Sequence, residues 1–347
     1  MSVERERAVN KERERAVNVE RERAVNVERE RAVNKEREQA MDRAAAHAGA
    51  IAPHRAGANA AQPFRLRCAD GREIAAHWIA APARRAVLVI NPATGFPQTF
   101  YFRVASYAAE RGYDTLVYDY RGMGASAPAA LAGENSRMSD WGLLDMRTAL
   151  AEAAARAGGL PVVTLGHSVG GQFLGLLTNH ALARAHVQIA VSVGYWRWEH
   201  APFKYLAWWF WRVHGPLMLK LKGYVPTGGG WAGLPLPRRV FEEWRTWCLR
   251  PGHFGPDLAT YLSDNVFAQI RAPVLSVGFT DDPIATRRAV EELHRFYPNV
   301  RRESRWYSPA DAGSDRIGHD GFFASRHRDT LWRPVLDWLD AKLESDA

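Results

Sequence analysis

One stretch decides the fold of this chain: Leu160-Pro161-Val162-Val163-Thr164-Leu165-Gly166-His167-Ser168-Val169-Gly170-Gly171-Gln172. It joins a short apolar run to a serine that has a glycine two residues away on either side. A strand that turns at once into a helix holds its corner residue in a strained conformation, and larger side chains two positions away would collide there. The stretch therefore predicts a strand over 162–165, a helix over 172–180, and an exposed hydroxyl at the Ser168 corner.

Strand and helix signals alternate on both sides of that corner. Residues 64–68 and 73–80 flank Asp70-Gly71, which suits a tight turn, and predict an antiparallel hairpin. Further runs predict strands at 86–91, 114–118, 187–193 and 273–277, and helices at 100–111, 143–157 and 287–296. This alternation is typical of an α/β protein with a mostly parallel central sheet flanked by helices, which binds ligands at the carboxyl ends of the strands.

The alternation breaks between Tyr195 and Ala268, in a region that holds most of the tryptophans. Because it follows a strand and is too long for a simple connection, we interpret it as an inserted helical, Trp-rich cap. We expect most of these indoles to pack the insertion's own core, and those within 208–211 to be candidates for lining an apolar acyl or aromatic pocket. A peripheral membrane contact would also lie here, although Lys204, Arg212 and Lys220 interrupt the apolar run.

The N-terminus is of low complexity. From Val3 the octapeptide Val-Glu-Arg-Glu-Arg-Ala-Val-Asn recurs, and a degenerate copy covers 35–42. A period of eight winds the valines around a helix instead of along one face, so we expect a frayed helix or disorder, then a linker over 44–63. The predicted divisions are repeats and linker (1–60), first core part (61–195), cap (196–268) and second core part (269–347).

Composition excludes several classes of protein. The chain has 347 residues, of which 47% are hydrophobic, enough for a substantial core. Its arginines are scattered, so nucleic-acid binding is not expected despite a net charge of +8. Cys68 and Cys248 show no metal or disulfide spacing, which favours the cytoplasm. Neither a signal peptide nor stable membrane insertion is expected, while an acidic substrate or an anionic membrane surface stays open.

The residues needed for acyl transfer follow the corner serine in order. Such chemistry requires a base, a carboxylate that orients the base, and donors for the oxyanion. The run Gly278-Phe279-Thr280-Asp281-Asp282-Pro283-Ile284-Ala285 places two carboxylates after the strand that begins at Pro273. The run Ile317-Gly318-His319-Asp320-Gly321-Phe322-Phe323 places a histidine between glycines.

With these residues in the order Ser168, Asp281 or Asp282, His319, the chain resembles the α/β-hydrolase superfamily over about residues 64–347. It looks most like the serine esterase, lipase and aminopeptidase-like branch. The run Asp119-Tyr120-Arg121-Gly122-Met123-Gly124-Ala125-Ser126 is similar to the family's D-x-R-G-x-G-x-S turn. In the family's acid loop the catalytic aspartate follows nine residues after a proline, which from Pro273 gives Asp282; counting three from Gly278 gives Asp281.

The loop that would supply oxyanion donors departs from the family's pattern. Asn91-Pro92-Ala93-Thr94-Gly95 stands where a His-Gly pair is common, and proline has no N–H to donate. By position, the donors are the backbone N–H groups of Ala93 or Thr94 and of Val169.

The resemblance implies a mechanism without cofactor or metal. His319 takes the proton of Ser168 as the hydroxyl attacks an ester, thioester or amide carbonyl, Asp282 stabilises the imidazolium, and water hydrolyses the acyl-enzyme. We expect a carboxylesterase-like enzyme acting on an apolar small molecule. The alternatives are transfer of the acyl group to another acceptor and ligand binding without turnover. His167 is expected to pack rather than to act as the base.

Overall fold

The computed structural model describes residues 61–344. The predicted repeats, most of the predicted linker and the last three residues lie outside the described residues. The linker prediction extends too far at its end, because the first strand already begins at Gln62.

Eight strands form one sheet in the order β1-β2-β4-β3-β5-β6-β9-β10. The pairs β1–β2 and β2–β4 are antiparallel and the remaining pairs are parallel. A separate two-stranded ribbon pairs β7 with β8. The strands are β1 (Gln62–Arg67), β2 (Glu73–Ile79), β3 (Ala86–Asn91), β4 (Tyr113–Tyr118), β5 (Val162–His167), β6 (Ala185–Ile189), β7 (Tyr224–Val225), β8 (Leu236–Pro237), β9 (Pro273–Phe279) and β10 (Arg301–Tyr307).

The α-helices of the described residues are α1 (Phe102–Glu110), α2 (Met138–Asp140), α3 (Arg147–Ala157), α4 (Val169–Gln172), α5 (Phe203–Trp209), α6 (Gly215–Lys222), α7 (Arg238–Cys248), α8 (Arg287–His294) and α9 (Arg333–Glu344). Two π-helical stretches join consecutive helices: Trp141–Met146 lies between α2 and α3, and Phe210–His214 lies between α5 and α6.

The core lies on both faces of the sheet. Strands β3, β4 and β5 are buried along their whole lengths. Alternate residues of β3 enter different apolar clusters, Val87 and Val89 on one face and Leu88 and Ile90 on the other. This is the pattern of central parallel strands covered on both sides, and the predicted fold class is confirmed.

Two element predictions are wrong. The helix predicted at 172–180 is only the single turn of α4, followed by the 3₁₀ turn Phe173–Leu176. The carbonyl of Gly175 accepts the N–H of Val266 at 2.7 Å, which diverts it from helical bonding. The strand predicted at 187–193 ends at Ile189, because Ala190 adopts a positive φ of 53°.

The region 196–268 builds an aromatic cluster of its own. Trp211 is buried against Phe241 and Trp244, with ring centroids 5.6 and 4.7 Å apart, and Trp231 lies 5.5 Å from Phe210. The expectation that residues 208–211 line an apolar pocket is wrong. Trp208 and Trp209 face solvent, with exposed fractions of 44% and 45%, and Trp211 is enclosed by the insertion itself.

Candidate active site

Ser168 occupies the strained corner that the sequence predicts. It follows β5 directly and has φ 50° and ψ −117°, a positive φ that non-glycine residues seldom adopt. A side chain at Gly166 would collide with the backbone of Gly170, and one at Gly170 would collide with the backbone of Asn91. The two glycines are therefore required by close backbone approach, and the corner leaves the Ser168 side chain partly accessible.

The two candidate carboxylates have different partners. Asp282 is 1% exposed; its Oδ2 lies 2.8 Å from Nδ1 of His319, and its Oδ1 accepts the N–H groups of Ile284 and Ala285 at 2.8 and 3.0 Å. Asp281 turns away from the imidazole and accepts the N–H groups of Ile317 and Gly318 at 2.9 and 3.0 Å. One carboxylate thus orients the histidine, and its neighbour holds the backbone of the loop that carries it.

The pKa of the His319 imidazole is set by two opposed effects. Burial lowers this pKa, but the negative charge of Asp282 and its hydrogen bond raise it, and the net result is a pKa above the usual 6.5. With its Nδ1–H directed at Asp282, the neutral ring presents Nε2 as the basic atom.

His167 connects the serine corner to both neighbouring loops. Its ring is fully buried, with Nδ1 3.0 Å from Oη of Tyr101 and Nε2 3.0 Å from the carbonyl oxygen of His319. Because that carbonyl can only accept, Nε2 carries the proton and Nδ1 accepts from the tyrosine hydroxyl. Burial, with the charge of His319, holds the pKa of His167 well below its ordinary value. Both nitrogens are engaged, so this histidine has a packing and bridging role.

The same hydrogen-bond network rules out Ala93, one of the predicted oxyanion donors. The N–H of Ala93 donates to Oη of Tyr101 at 2.8 Å and is not available to a substrate. The backbone N–H groups of Thr94 and Val169 have no hydrogen-bond partner within residues 61–344. The Thr94 hydroxyl is buried and likewise lacks a partner among those residues.

The D-x-R-G-x-G-x-S turn supports this loop from behind. Asp119 accepts the N–H of Gln98 at 2.7 Å and the N–H of Ala125 at 2.9 Å. Arg121 is 3% exposed and donates to Asp145 and Asp70, each at 2.7 Å. These contacts fix the turn to the first hairpin and to the start of the helix after the oxyanion loop, so the motif is structural here.

Two residues near the site carry no sequence signal that could have identified them. Tyr101 is one, since its hydroxyl joins loops distant in the chain. Glu199 is the other: it is 9% exposed, and its Oε2 has no hydrogen-bond partner in the described part of the chain. Burial and the negative charge of Asp282 raise the pKa of Glu199 to about 9, so the group is neutral at pH 7.

Region 196–268 contacts the candidate oxyanion loop at Gly95. The N–H of Leu234 donates to the Gly95 carbonyl at 2.8 Å, and a Cβ at Gly95 would lie 2.6 Å from the Trp231 ring. Gly95 also has a φ of +86°, which favours glycine. A side chain there would thus strain the loop and displace the insertion.

Residues 61–344 contain no group of three or more His, Cys, Asp or Glu side chains placed to hold a metal ion. None of their helices has both the length and the apolar character that a membrane span needs.

Comparisons with known proteins agree with this architecture. Residues 82–226 match the family model described as serine aminopeptidase, S33. A soluble variant of monoglyceride lipase from Saccharomyces cerevisiae, solved with a substrate analog, aligns with a TM-score of 0.57 and 14% identity over 85% of this chain and 99% of that one. The monoacylglycerol lipase of Paleococcus ferrophilus aligns with a TM-score of 0.51 and 14% identity over 78% and 99%. No curated protein matches this chain.

Proposed function

We propose that this chain, which has the fold of the α/β-hydrolases and matches the serine aminopeptidase family model over residues 82–226, is a serine hydrolase. Ser168 is the proposed nucleophile, His319 the base and Asp282 the orienting acid. The observation that carries the proposal is the 2.8 Å hydrogen bond between His319 and Asp282. The loop of that histidine is bound through its carbonyl to His167, the residue before Ser168. The base is therefore tied to the serine corner itself.

The reaction follows from this arrangement. Nε2 of His319 accepts the Ser168 proton as Oγ attacks the carbonyl carbon of an ester, thioester or amide, and Asp282 stabilises the resulting imidazolium. The imidazolium then returns the proton to the leaving group, and the acyl chain stays on Ser168. A water molecule, deprotonated by the same nitrogen, attacks the acyl-enzyme and releases the acid.

The backbone N–H groups of Val169 and Thr94 are the proposed oxyanion donors. Val169 follows the proposed nucleophile at the start of α4. The N–H of Thr94 has no partner within residues 61–344, whereas that of Ala93 is bound to Tyr101. Loss of one such donor typically slows an enzyme by ~100- to 1000-fold.

We assign the substrate to carboxylic esters with an apolar acyl or aromatic group. Phe96 and Phe323 pack on His167, the residue before the proposed nucleophile, with ring centroids 5.4 and 4.6 Å from its ring, and Phe100 packs on Phe323 at 5.6 Å. Trp231 of the insertion lies on the oxyanion loop, so the proposed cap, residues 196–268, brings an aromatic ring to the same place. Two of the similar structures are lipases by name, which supports the same class.

The test is labelling of the full chain with a fluorophosphonate, together with hydrolysis of p-nitrophenyl esters of increasing acyl length. Ser168→Ala and His319→Ala should abolish labelling. The matched controls Ser263→Ala and His180→Ala change the same residue types outside the site and should retain it. Absence of labelling in folded wild-type protein would overturn the proposal and leave ligand binding without turnover.

A further inference from the structure

Exposed large apolar side chains concentrate on the first two helices of the insertion. The exposed fraction is 63% for Tyr205 and 65% for Leu221, in helices that are otherwise anchored in the aromatic cluster. In the described part of the chain, comparable exposure of a large apolar side chain recurs only at Leu182 and Tyr261. The concentrated set is Tyr205, Leu206, Trp208, Trp209, Leu217 and Leu221, here called the outer face.

The outer face follows from a four-residue repeat through α5, the π-helical stretch and α6. Ala207, Trp211, Gly215 and Leu219 recur every four residues and are buried, with Trp211 and Gly215 against Phe241. A second row has the same spacing and is offset from the buried row by two positions: Tyr205, Trp209, Val213, Leu217 and Leu221. All but the half-buried Val213 face solvent. The π-helical stretch keeps the two rows on opposite sides of one continuous helix.

Cations accompany this apolar row. Between residues 203 and 223 the chain has Lys204, Arg212, Lys220 and Lys222 and no aspartate or glutamate. Arg212, Lys220 and Lys222 are exposed, and none of the four pairs with a carboxylate of the described residues. The outer face is therefore both apolar and positively charged.

We propose that the outer face is a docking surface for an anionic lipid bilayer, on which the chain lies peripherally. Tryptophan and tyrosine place apolar rings at the boundary between headgroups and acyl chains, and lysine and arginine beside them bind anionic headgroups. A second copy of this chain would bring the same four cations to the contact and no carboxylate from this segment to meet them. Charge complementarity thus favours the lipid surface.

The docked helix lies close to the oxyanion loop. Phe210, on its buried side, stacks on Trp231 at 5.5 Å, and Trp231 contacts Gly95. A bilayer bound to the outer face would be separated from that loop by the helix and one aromatic layer. Docking on a bilayer requires no turnover. The docking proposal can therefore be tested separately from the proposed hydrolase activity.

The experiment is co-sedimentation of the full chain with vesicles of phosphatidylcholine, with and without phosphatidylglycerol. Wild-type protein should bind the anionic vesicles, and added salt should weaken binding. Trp209→Ser with Leu221→Ser should lower the partition coefficient by roughly tenfold or more, because two apolar contacts are lost. Arg212→Gln with Lys220→Gln should lower it on anionic vesicles only.

The matched control is Leu182→Ser with Tyr261→Ser, which removes apolar side chains of similar exposure elsewhere and should bind like wild type. Circular dichroism melting checks that each variant is folded. Failure of wild type to bind anionic vesicles overturns the proposal, as does unchanged binding by the Trp209/Leu221 variant. A lipid-free dimer in sedimentation velocity, lost in that variant, would assign the outer face to a second copy and also overturn it.

Discussion

The loops around Ser168 and the first helices of region 196–268 differ in how their side chains are held. Around Ser168 polar groups are fixed by hydrogen bonds, whereas on the helices apolar groups face solvent. Near the serine, Asp281, Asp282 and His167 are each held by specific hydrogen bonds at 2.8 to 3.0 Å. Along α5, the π-helical stretch and α6, apolar side chains point outward, and beside them lie cations that pair with no carboxylate of residues 61–344. The difference indicates two kinds of recognition: short directional contacts where one atom must be placed accurately, and a broad nondirectional face where an extended surface is met.

The sharpest test of the directional region is the pair Asp282→Asn and Asp281→Asn. Asp282→Asn should lower kcat by roughly 10⁴-fold, because the imidazole loses the charge that orients it and stabilises its protonated form. Asp281→Asn should cost far less, since its carboxylate binds loop N–H groups only. Ester hydrolysis at saturating substrate measures both. The reverse ranking would make Asp281 the triad acid.

Substitution of two tryptophans distinguishes the buried side of region 196–268 from its outer face. Trp247→Ala should lower the free energy of unfolding by about 3–5 kcal/mol, because the ring is fully buried beside Phe173 and Phe254. Trp209→Ala should lower it by only about 1–1.5 kcal/mol, because 45% of the residue is already exposed to solvent. Urea unfolding gives both values. Equal costs would show that Trp209 is a core residue and would remove the contrast between the two sides.

Tyr101→Phe tests whether bridging contacts matter at the site. Loss of the hydroxyl leaves the Ala93 N–H and Nδ1 of His167 buried without partners, which should lower the free energy of unfolding by about 1–3 kcal/mol. We also expect kcat/KM to fall by roughly 10- to 100-fold, because small displacements of reacting groups are costly. Tyr107→Phe, in the helix α1 that begins directly after Tyr101, lies outside the bridge and is the control. A stability loss with kcat/KM unchanged would limit the bridge to a structural role.

Acid should lower the free energy of unfolding through two buried neutral histidines, one in the central sheet and one in region 196–268. Burial lowers the pKa to about 3 for His186 on β6 and for His253 in the insertion. Below pH 6.5 the unfolded chain binds protons that the folded chain does not, so each histidine should reduce the free energy of unfolding by about 1.4 kcal/mol per pH unit until pH ~3. Urea unfolding from pH 7 to 5 measures the slope. His253→Asn should make it shallower by one group, and an unchanged slope would contradict the assignment.

Sequence reasoning succeeded where the cause is local. The glycines around Ser168, the Asp70-Gly71 hairpin and the apolar runs of β3, β5 and β9 each follow from steric or periodic requirements within a few residues. Sequence reasoning failed where contacts with distant segments of the chain decide whether a helix or strand forms. The helix at 172–180 is cut short by Val266, and β10 was missed because its three arginines mask an edge strand.

The site shows the same division. The residue types and their order were legible, yet the choice between Asp281 and Asp282 required the contacts of residues 317–319. The donor of Ala93 was lost to Tyr101, whose hydroxyl no motif marks. Glu199 became notable only through its burial near Asp282. Pairwise contacts between segments that are not neighbours in a helix or strand leave no periodic trace in one sequence.

Hydrogen bonds from Ala93 through Tyr101 and His167 to His319 connect the two loops that carry the proposed oxyanion donor and the proposed base. Because His167 is the last residue of β5, the distance between these loops is set by the sheet and not by the surface segments around it. Region 196–268 meets the loops of the site at several points: Leu234 at Gly95, His200 at Pro283 and Trp198 at Thr286. The exposed side chains of α5 and α6 take no part in these hydrogen bonds, so they can be changed to suit other surfaces while the bridge stays intact.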